Sequence, residues 1–202
     1  MAGDSAARDQ LIAATVDLMI EQRIVDIPVS AITTRSGHNA ALISYYFGSK
    51  SGLLMEVLRS VLGQGVSQLE HLAQQAILPD EKLRIHISGM ISAYFQYPFI
   101  NSLIHFLVVS EPEKYGKIIV DEFSAKTAKI QQQILDEGKS IGIFKNVSPM
   151  HLYFHIVGAC DLFFYGRHQM RYIFGIDEIN AEQKREYVDY LTDAILNGVI
   201  RS

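Results

Sequence analysis

The side chains best suited to chemistry in this chain stand between Val29 and Lys50, in the run VSAITTRSGHNAALISYYFGSK. The chemistry they suit is contact with a DNA duplex. Asn39 has an amide that both donates and accepts, which fits a base edge or a phosphate and equally fits a helix N-cap. Ala40, Ala41 and Leu42 form no hydrogen bonds, but small apolar groups pack on thymine methyls in a major groove; for Leu42 the alternative is burial in a small core. Ser44, Tyr45 and Tyr46 carry hydroxyls that reach phosphate oxygens, contacts that position a protein without reading sequence; Tyr46 has packing as its alternative. Val29, Ser30, Arg35 and His38 lie just upstream as further contacts. Lys50 starts a helix, where the ammonium and the helix dipole both attract phosphate.

These groups need a rigid frame, and the same residues supply one. Val29 and Ile32 fall three apart on one face of a first short helix. Gly37 then provides the positive φ of a sharp helix-to-helix turn. Asn39 caps a second helix over Ala40–Phe47, in which Ile43 and Phe47 stand four apart. Ser49 caps a third that begins at Lys50. This is the layout of a helix-turn-helix whose second helix enters a major groove.

The run Gly37-His38-Asn39-Ala40-Ala41-Leu42-Ile43-Ser44-Tyr45-Tyr46-Phe47-Gly48-Ser49-Lys50 also resembles the tetracycline-repressor-like (TetR) family of transcription regulators. Members of that family read roughly G-V-N-x-A-A-I-N-Y-H-F-G-S-K at this place. The likeness is specific over about residues 8–60 and continues afterwards as one of size and helix layout. Three positions depart from it. His38 replaces a small aliphatic residue and either meets phosphate when protonated or covers the turn. Thr33 replaces a common alanine, so its hydroxyl needs a backbone acceptor. Ser51 replaces a frequent acid. The resemblance implies an all-α chain of about nine helices, a homodimer and a small-molecule effector pocket in the body. It places that pocket along the helices near 80–140 and at the start of the one near 148–174.

Charge lends this reading no support. The chain of 202 residues has a net charge of −4. Residues 1–60 set Arg8, Arg23, Arg35, Lys50 and Arg59 against Asp4, Asp9, Asp17, Glu21, Asp26 and Glu56, which counts mildly against strong non-specific DNA binding. An apolar fraction of 49% is ample for a core, so disorder is excluded. No apolar run reaches the ~18–20 residues of a membrane span, and the N-terminus is polar and mixed in charge, unlike a secretory leader. The lone Cys160 cannot close an internal disulfide, which fits a reducing cytoplasm.

The apolar periodicity predicts a helix over about 5–23, with Leu11, Ala14 and Leu18, and Ile12, Val16 and Met19, on one wide face. Pro28 is expected in the first turn of the next helix. A long helix then runs from Lys50 to about Ala76, interrupted by Gly63 and Gly65. Further helices are expected from Pro79 to about Pro98, over about 99–109, and from a Ser110–Glu113 capping box to a stop at Gly138. Ser148-Pro149 opens one of about 25 residues to Phe174, and Asn180 with Gln183 caps the last. Residues 1–47 thus form a three-helix DNA-binding head, and 48–202 a six-helix effector-binding and dimerisation body.

The aromatics of the body are first of all a core. A ligand pocket needs a few polar groups besides, and the candidates here are Tyr94, Gln96, Tyr97, Asn101, His105, Phe106, Tyr153 and Asp161. The helix from Ser148 is apolar nearly all round, so it must bury more than one face. Gly158 and Ala159 leave room for close helix approach. With His155, Leu162, Tyr187, Leu191, Ala194 and Ile195 they suit a two-fold, four-helix dimer interface, the alternative being burial within one subunit. His151 and His155 have the i, i+4 spacing of a metal pair, but a third ligand is not evident, and no metal or cofactor is expected.

The function these features favour is a DNA-binding regulator, a repressor released from a palindromic operator by a small-molecule effector. Two competitors remain: a helical small-molecule-binding protein or enzyme without a DNA role, and an interaction protein that keeps the head as a relic. An enzyme requires a nucleophile–base pair, a phosphate loop or a metal set, and none stands out.

Overall fold

The computed structural model describes residues 2–201, with side chains from residue 6. The chain is all-α and divides into two compact units, one of residues 1–63 and 97–119, the other of 64–96 and 120–202. These units cut the chain elsewhere than the expected 1–47 and 48–202, because the boundary crosses a continuous helix between Gly63 and Gln64.

The first unit opens with α1 (Ala2–Gln22), α2 (Val29–Ser36), α3 (Ala40–Phe47) and the first half of α4 (Lys50–Gln74). Leu11, Ala14, Leu18 and Met19 of α1 are buried, as the periodicity required, and Ile27, Ile32, Ile43, Leu54 and Leu58 join them in this core. The buried Thr15 hydroxyl is satisfied by donating to the Leu11 carbonyl at 2.8 Å. Pro28 stands one place outside α2, extended at φ −60°, ψ 138°, and its carbonyl accepts the N–H groups of Ala31 and Ile32. The unit is completed by α6 (Ile100–Ser110), a π-helical turn at Pro112–Gly116 and the single turn α7 (Lys117–Ile119). The Ser110 hydroxyl turns back to the Leu107 carbonyl at 2.9 Å and caps nothing ahead of it. The expected capping box therefore does not form; the backbone widens into π geometry after Glu111 instead.

In the second unit α5 (Pro79–Gln96) packs against α8 (Ala125–Ser140), α9 (Pro149–Tyr165) and α11 (Ala181–Val199). A second π turn, Val120–Ser124, precedes α8. Leu83, Ile87, Ile91 and Tyr94 give α5 its buried face. Lys82 is also buried, and its ammonium donates to the Ala73 carbonyl at 3.0 Å and to both Glu137 oxygens at 3.0 and 2.8 Å. Such saturation is what allows a lysine into a core.

Two expectations about helix ends are corrected. Helix α8 does not stop at Gly138 but continues to Ser140. Gly138 is needed for contact, since a Cβ there would lie 2.1 Å from Cδ2 of the buried Phe144 ring. The apolar stretch from Ser148 is not one helix. It breaks at Gly166, and the separate α10 (Arg167–Phe174) follows. The residues just beyond the break, Arg167, His168, Gln169 and Arg171, are polar, a change of composition at Gly166 that the expectation of one continuous helix passed over. The predicted caps Ser148 and Asn180 both form, the latter as a full capping box with Gln183. Among the described residues no helix is long and apolar enough to cross a membrane.

Candidate nucleic-acid interface

The turn between α2 and α3 has the predicted chemistry. Gly37 adopts φ +73° and donates to the Thr33 carbonyl at 3.0 Å. That left-handed geometry is accessible to glycine at no steric cost. Asn39 is extended, and its Oδ1 accepts the Leu42 N–H at 3.2 Å, so its oxygen serves the cap. The Thr33 hydroxyl finds its backbone acceptor in Ser30 at 2.9 Å.

Helix α3 is anchored by Ile43 at 3% exposure. On the opposite side Ala40, Ala41, Ser44 and Tyr45 face solvent, with Tyr45 72% exposed. Leu42 and Tyr46 are half-buried, intermediate between the reading and packing roles each was given. The Tyr45 and Tyr46 rings meet edge to face at 4.9 Å. The Arg8 guanidinium of α1 lies 5.7 Å from the centre of the Phe47 ring, which ties α3 to α1. Val29 is half-buried and Ser30 exposed. Ser30 and Arg35, with Leu18, Pro28, Ala31 and Thr34, line an open depression of about 570 Å³ beside the turn.

The flanking polar groups have acidic or amide partners that sequence order did not reveal. Arg35 donates bidentately to Glu21 at 2.9 and 2.7 Å. The Arg35 hydrogen bond holds the Glu21 carboxyl below its ordinary pKa, and the Glu21 hydrogen bond raises that of Arg35. Lys50 donates to Asp26. His38 Nε2 lies 2.7 Å from the Gln10 amide oxygen, so this ring covers the turn by bonding to α1. Two of the head's acids thus sit on the two cations that flank the reading helix. Exposed pairs of this kind are worth only ~0–1 kcal/mol, so either cation can exchange its carboxylate for a phosphate at little cost.

The candidate effector residues are divided between the units. Tyr97, Asn101, His105 and Phe106 belong to the first, and Tyr94, Gln96, Tyr153 and Asp161 to the second. Tyr94 is buried and stacks on Phe164 at 6.0 Å, whereas Gln96 and His105 are exposed. Within the first unit an open cleft of about 530 Å³ runs between α1 and α4, and of the eight candidates it includes only Tyr97. Sequence reasoning passed over the buried polar pair of the second unit. Gln131 Nε2 donates to His86 Nε2 at 2.8 Å, which requires a neutral imidazole with its proton on Nδ1. Burial lowers the His86 pKa to about 4. A histidine amid the apolar positions Leu83 and Ile87 was a signal; Gln131, one of three successive glutamines, carried none.

His151 and His155 are both exposed on α9, and the described residues include no group of three or more His, Cys, Asp or Glu placed to hold a metal. Cys160 is fully buried, and burial pushes its thiol up to about 12.

The expected dimer set separates into two. His155, Gly158, Leu162 and Ala194 are exposed, and Ala159 is half-buried. Leu191 and Ile195, at 3% and 2% exposure, are core residues of their own unit. The apolar stripe of α11 is thus covered within the subunit at these two positions. Tyr187 is likewise engaged internally: its hydroxyl donates to the Ala159 carbonyl at 2.8 Å and its ring stacks on Phe163 at 3.6 Å.

Comparison with known proteins agrees with this architecture. Residues 76–202 match the tetracyclin repressor-like C-terminal domain. The HTH-type transcriptional repressor NicS of Pseudomonas putida is 21% identical, over 96% of this chain and 92% of that protein. The HTH-type transcriptional regulator BetI 1 of Chromohalobacter salexigens is 36% identical over 83 residues, 41% of each chain. Among solved structures, a TetR/AcrR-family transcriptional regulator from Thermobifida fusca superposes with a TM-score of 0.72 at 21% identity, covering 95% of this chain and 97% of the other. The ketosteroid transcriptional regulator KstR2 of Mycobacterium tuberculosis gives 0.70 at 17% identity, over 96% and 95%.

Proposed function

The chain belongs to the tetracyclin repressor-like (TetR) family of transcriptional regulators, and from that premise we propose that it is a repressor released from a palindromic operator by a small molecule. The observation that carries the DNA-binding part is the face of α3. Asn39 caps the helix, Ile43 anchors it, and Ala40, Ala41, Ser44 and Tyr45 are left open to a major groove. Ala40, Ala41 and Leu42 read base edges through methyl contacts. Ser30, Ser44, Tyr45, Tyr46, Arg35 and Lys50 hold the phosphates, with Val29 and His38 at the margin.

One head carries few cations, and Arg35 and Lys50 beside the reading helix are paired with acids, so a single copy binds weakly. A homodimer supplies the second head, and its reading helices enter successive major grooves about 34–36 Å apart or a related spacing. Residues 1–47 serve as the DNA-binding part and 48–202 as the effector-binding and dimerisation part. The protein acts in the cytoplasm as a binding protein, without catalysis. Effector and DNA weaken each other reciprocally, since each favours a different conformation of the same dimer.

Selection of bound fragments from the source genome identifies the operator. On that duplex, Tyr45→Ala weakens binding at all salt concentrations. Lys50→Ala weakens it and lowers the salt slope by about one. If both variants bind as tightly as the parent, the assignment of α3 and Lys50 is wrong.

A further inference from the structure

We infer that α10 is a dimerisation arm, held by the α11 face of a second copy of this chain; this rests on the reading of the protein as a two-fold dimer. Helix α10 spans Arg167–Phe174 and has no buried residue. Tyr172, Ile173 and Phe174 are 76%, 67% and 67% exposed. A helix of eight residues is unstable alone, because nucleation costs more than so few hydrogen bonds return. Its C-terminal end is nonetheless defined. Gly175 adopts φ +69° and closes the C-terminus by donating to the Arg171 carbonyl. A well-formed short helix that presents three large apolar side chains to water is a surface made for a partner.

Position and area identify that partner as another copy. On the other side of the buried Gly166, α9 exposes Phe154, Leu162 and Tyr165 at 67%, 66% and 66%. This is the α9 face expected from the sequence to form the two-fold interface through Leu162 and Gly158. Tyr190 of α11 adds a further side chain at 71% exposure. Together these side chains present roughly 800 Å², about what one partner contributes to a standard interface.

Charge selects the surface that meets α10. The helix contains Arg167 and Arg171 and no acid. Helix α11 carries Glu182, Glu186, Asp189 and Asp193 against Lys184 and Arg185, and all four acids are exposed. Arg171 pairs with Asp177 at 3.1 Å on the surface, an exposed contact that is readily exchanged. A basic arm laid on an acidic helix of the other subunit brings opposite charges together, and the two-fold axis repeats the contact. Aromatic side chains supply the burial, and the charges set the register.

The test is the dimer dissociation constant of the full chain, measured by sedimentation. None of the α10 side chains is buried in the protomer, so Ile173→Asp/Phe174→Ala leaves the fold intact, as circular dichroism will verify. The expected result is dimerisation weakened about 30-fold or more. Arg167→Glu/Arg171→Glu and Glu186→Lys/Asp189→Lys each weaken self-association, and mixing the two variants restores a heterodimer. Leu162→Asp on α9 probes the two-fold reading separately. If Leu162→Asp dissociates the dimer but the α10 variants do not, the arm is refuted and the α9 interface stands. If neither dissociates it, both readings fall. Failure of the mixed charge variants to associate overturns the pairing of α10 with α11.

Discussion

Replacing Gly138 by alanine puts a methyl group where the Phe144 ring already lies. On helix propensity alone the change stabilises α8 by about 1 kcal/mol. The structure opposes this, because the new Cβ falls 2.1 Å from Cδ2 and 2.5 Å from Cε2 of a ring that is fully buried. Phe144 is also tethered at its backbone, its N–H donating to the Gly138 carbonyl at 3.0 Å, so the ring cannot slide away with its own main chain. Overpacking of a tight core costs ~1–3 kcal/mol, and complete loss of a buried phenylalanine ~3–5 kcal/mol. The ring is displaced rather than lost, so the upper end of the overpacking range applies; after the propensity gain the net destabilisation is ~2 kcal/mol, which lowers Tm by about 4–8 °C for a chain of this size. Calorimetry or thermal circular dichroism measures it. Gly65→Ala is the control: a Cβ there meets nothing within 4 Å, so Tm should rise slightly. In a Phe144→Ala background, Gly138→Ala should become neutral or stabilising, which isolates the ring as the cause. A Gly138→Ala protein as stable as the parent would refute the packing argument and restore Gly138 as a simple helix element.

Three further predictions follow from the same structure. Glu21→Gln releases Arg35 from its bidentate partner and should tighten operator binding severalfold at low salt, an effect that fades as salt rises. His86 has a folded pKa of about 4 against an ordinary 6.5, so the unfolded chain takes up the proton first as pH falls. Its contribution is complete above pH 6.5 and is lost between there and pH 4, up to about 3 kcal/mol; urea unfolding should show this slope and His86→Gln should flatten it. Gly63→Ala with Gly65→Ala adds methyls into open space and stiffens α4 where the compact units divide. Operator release by effector should then weaken, and unchanged release would remove α4 as the lever.

How much could be read in advance differed between head and body. Gly37, Asn39, Ile43 and Ser49 act locally, through turns, caps and i, i+4 spacing, so the order of residues sufficed to place α2, α3 and the start of α4. The caps at Ser148 and Asn180 were legible for the same reason. The body depended on packing between distant segments. Gly138 reads as a helix stop until Phe144 is seen against it. The stripe of Leu191 and Ile195 fits an interface as well as a core, because hydrophobic periodicity marks a buried face without saying what buries it.

The sequence by itself determined that the chain is all-α, that Val29–Lys50 is a helix-turn-helix, and which face of α3 is small and polar. Only the tertiary structure decided that Glu21 and Asp26 sit on Arg35 and Lys50, that His86 and Gln131 form a buried polar pair, and that α10 stands apart with its aromatics exposed. The reason is range. Caps and turns act within a few residues, while ion pairs, core contacts and exposed surfaces arise when segments tens of residues apart are brought together.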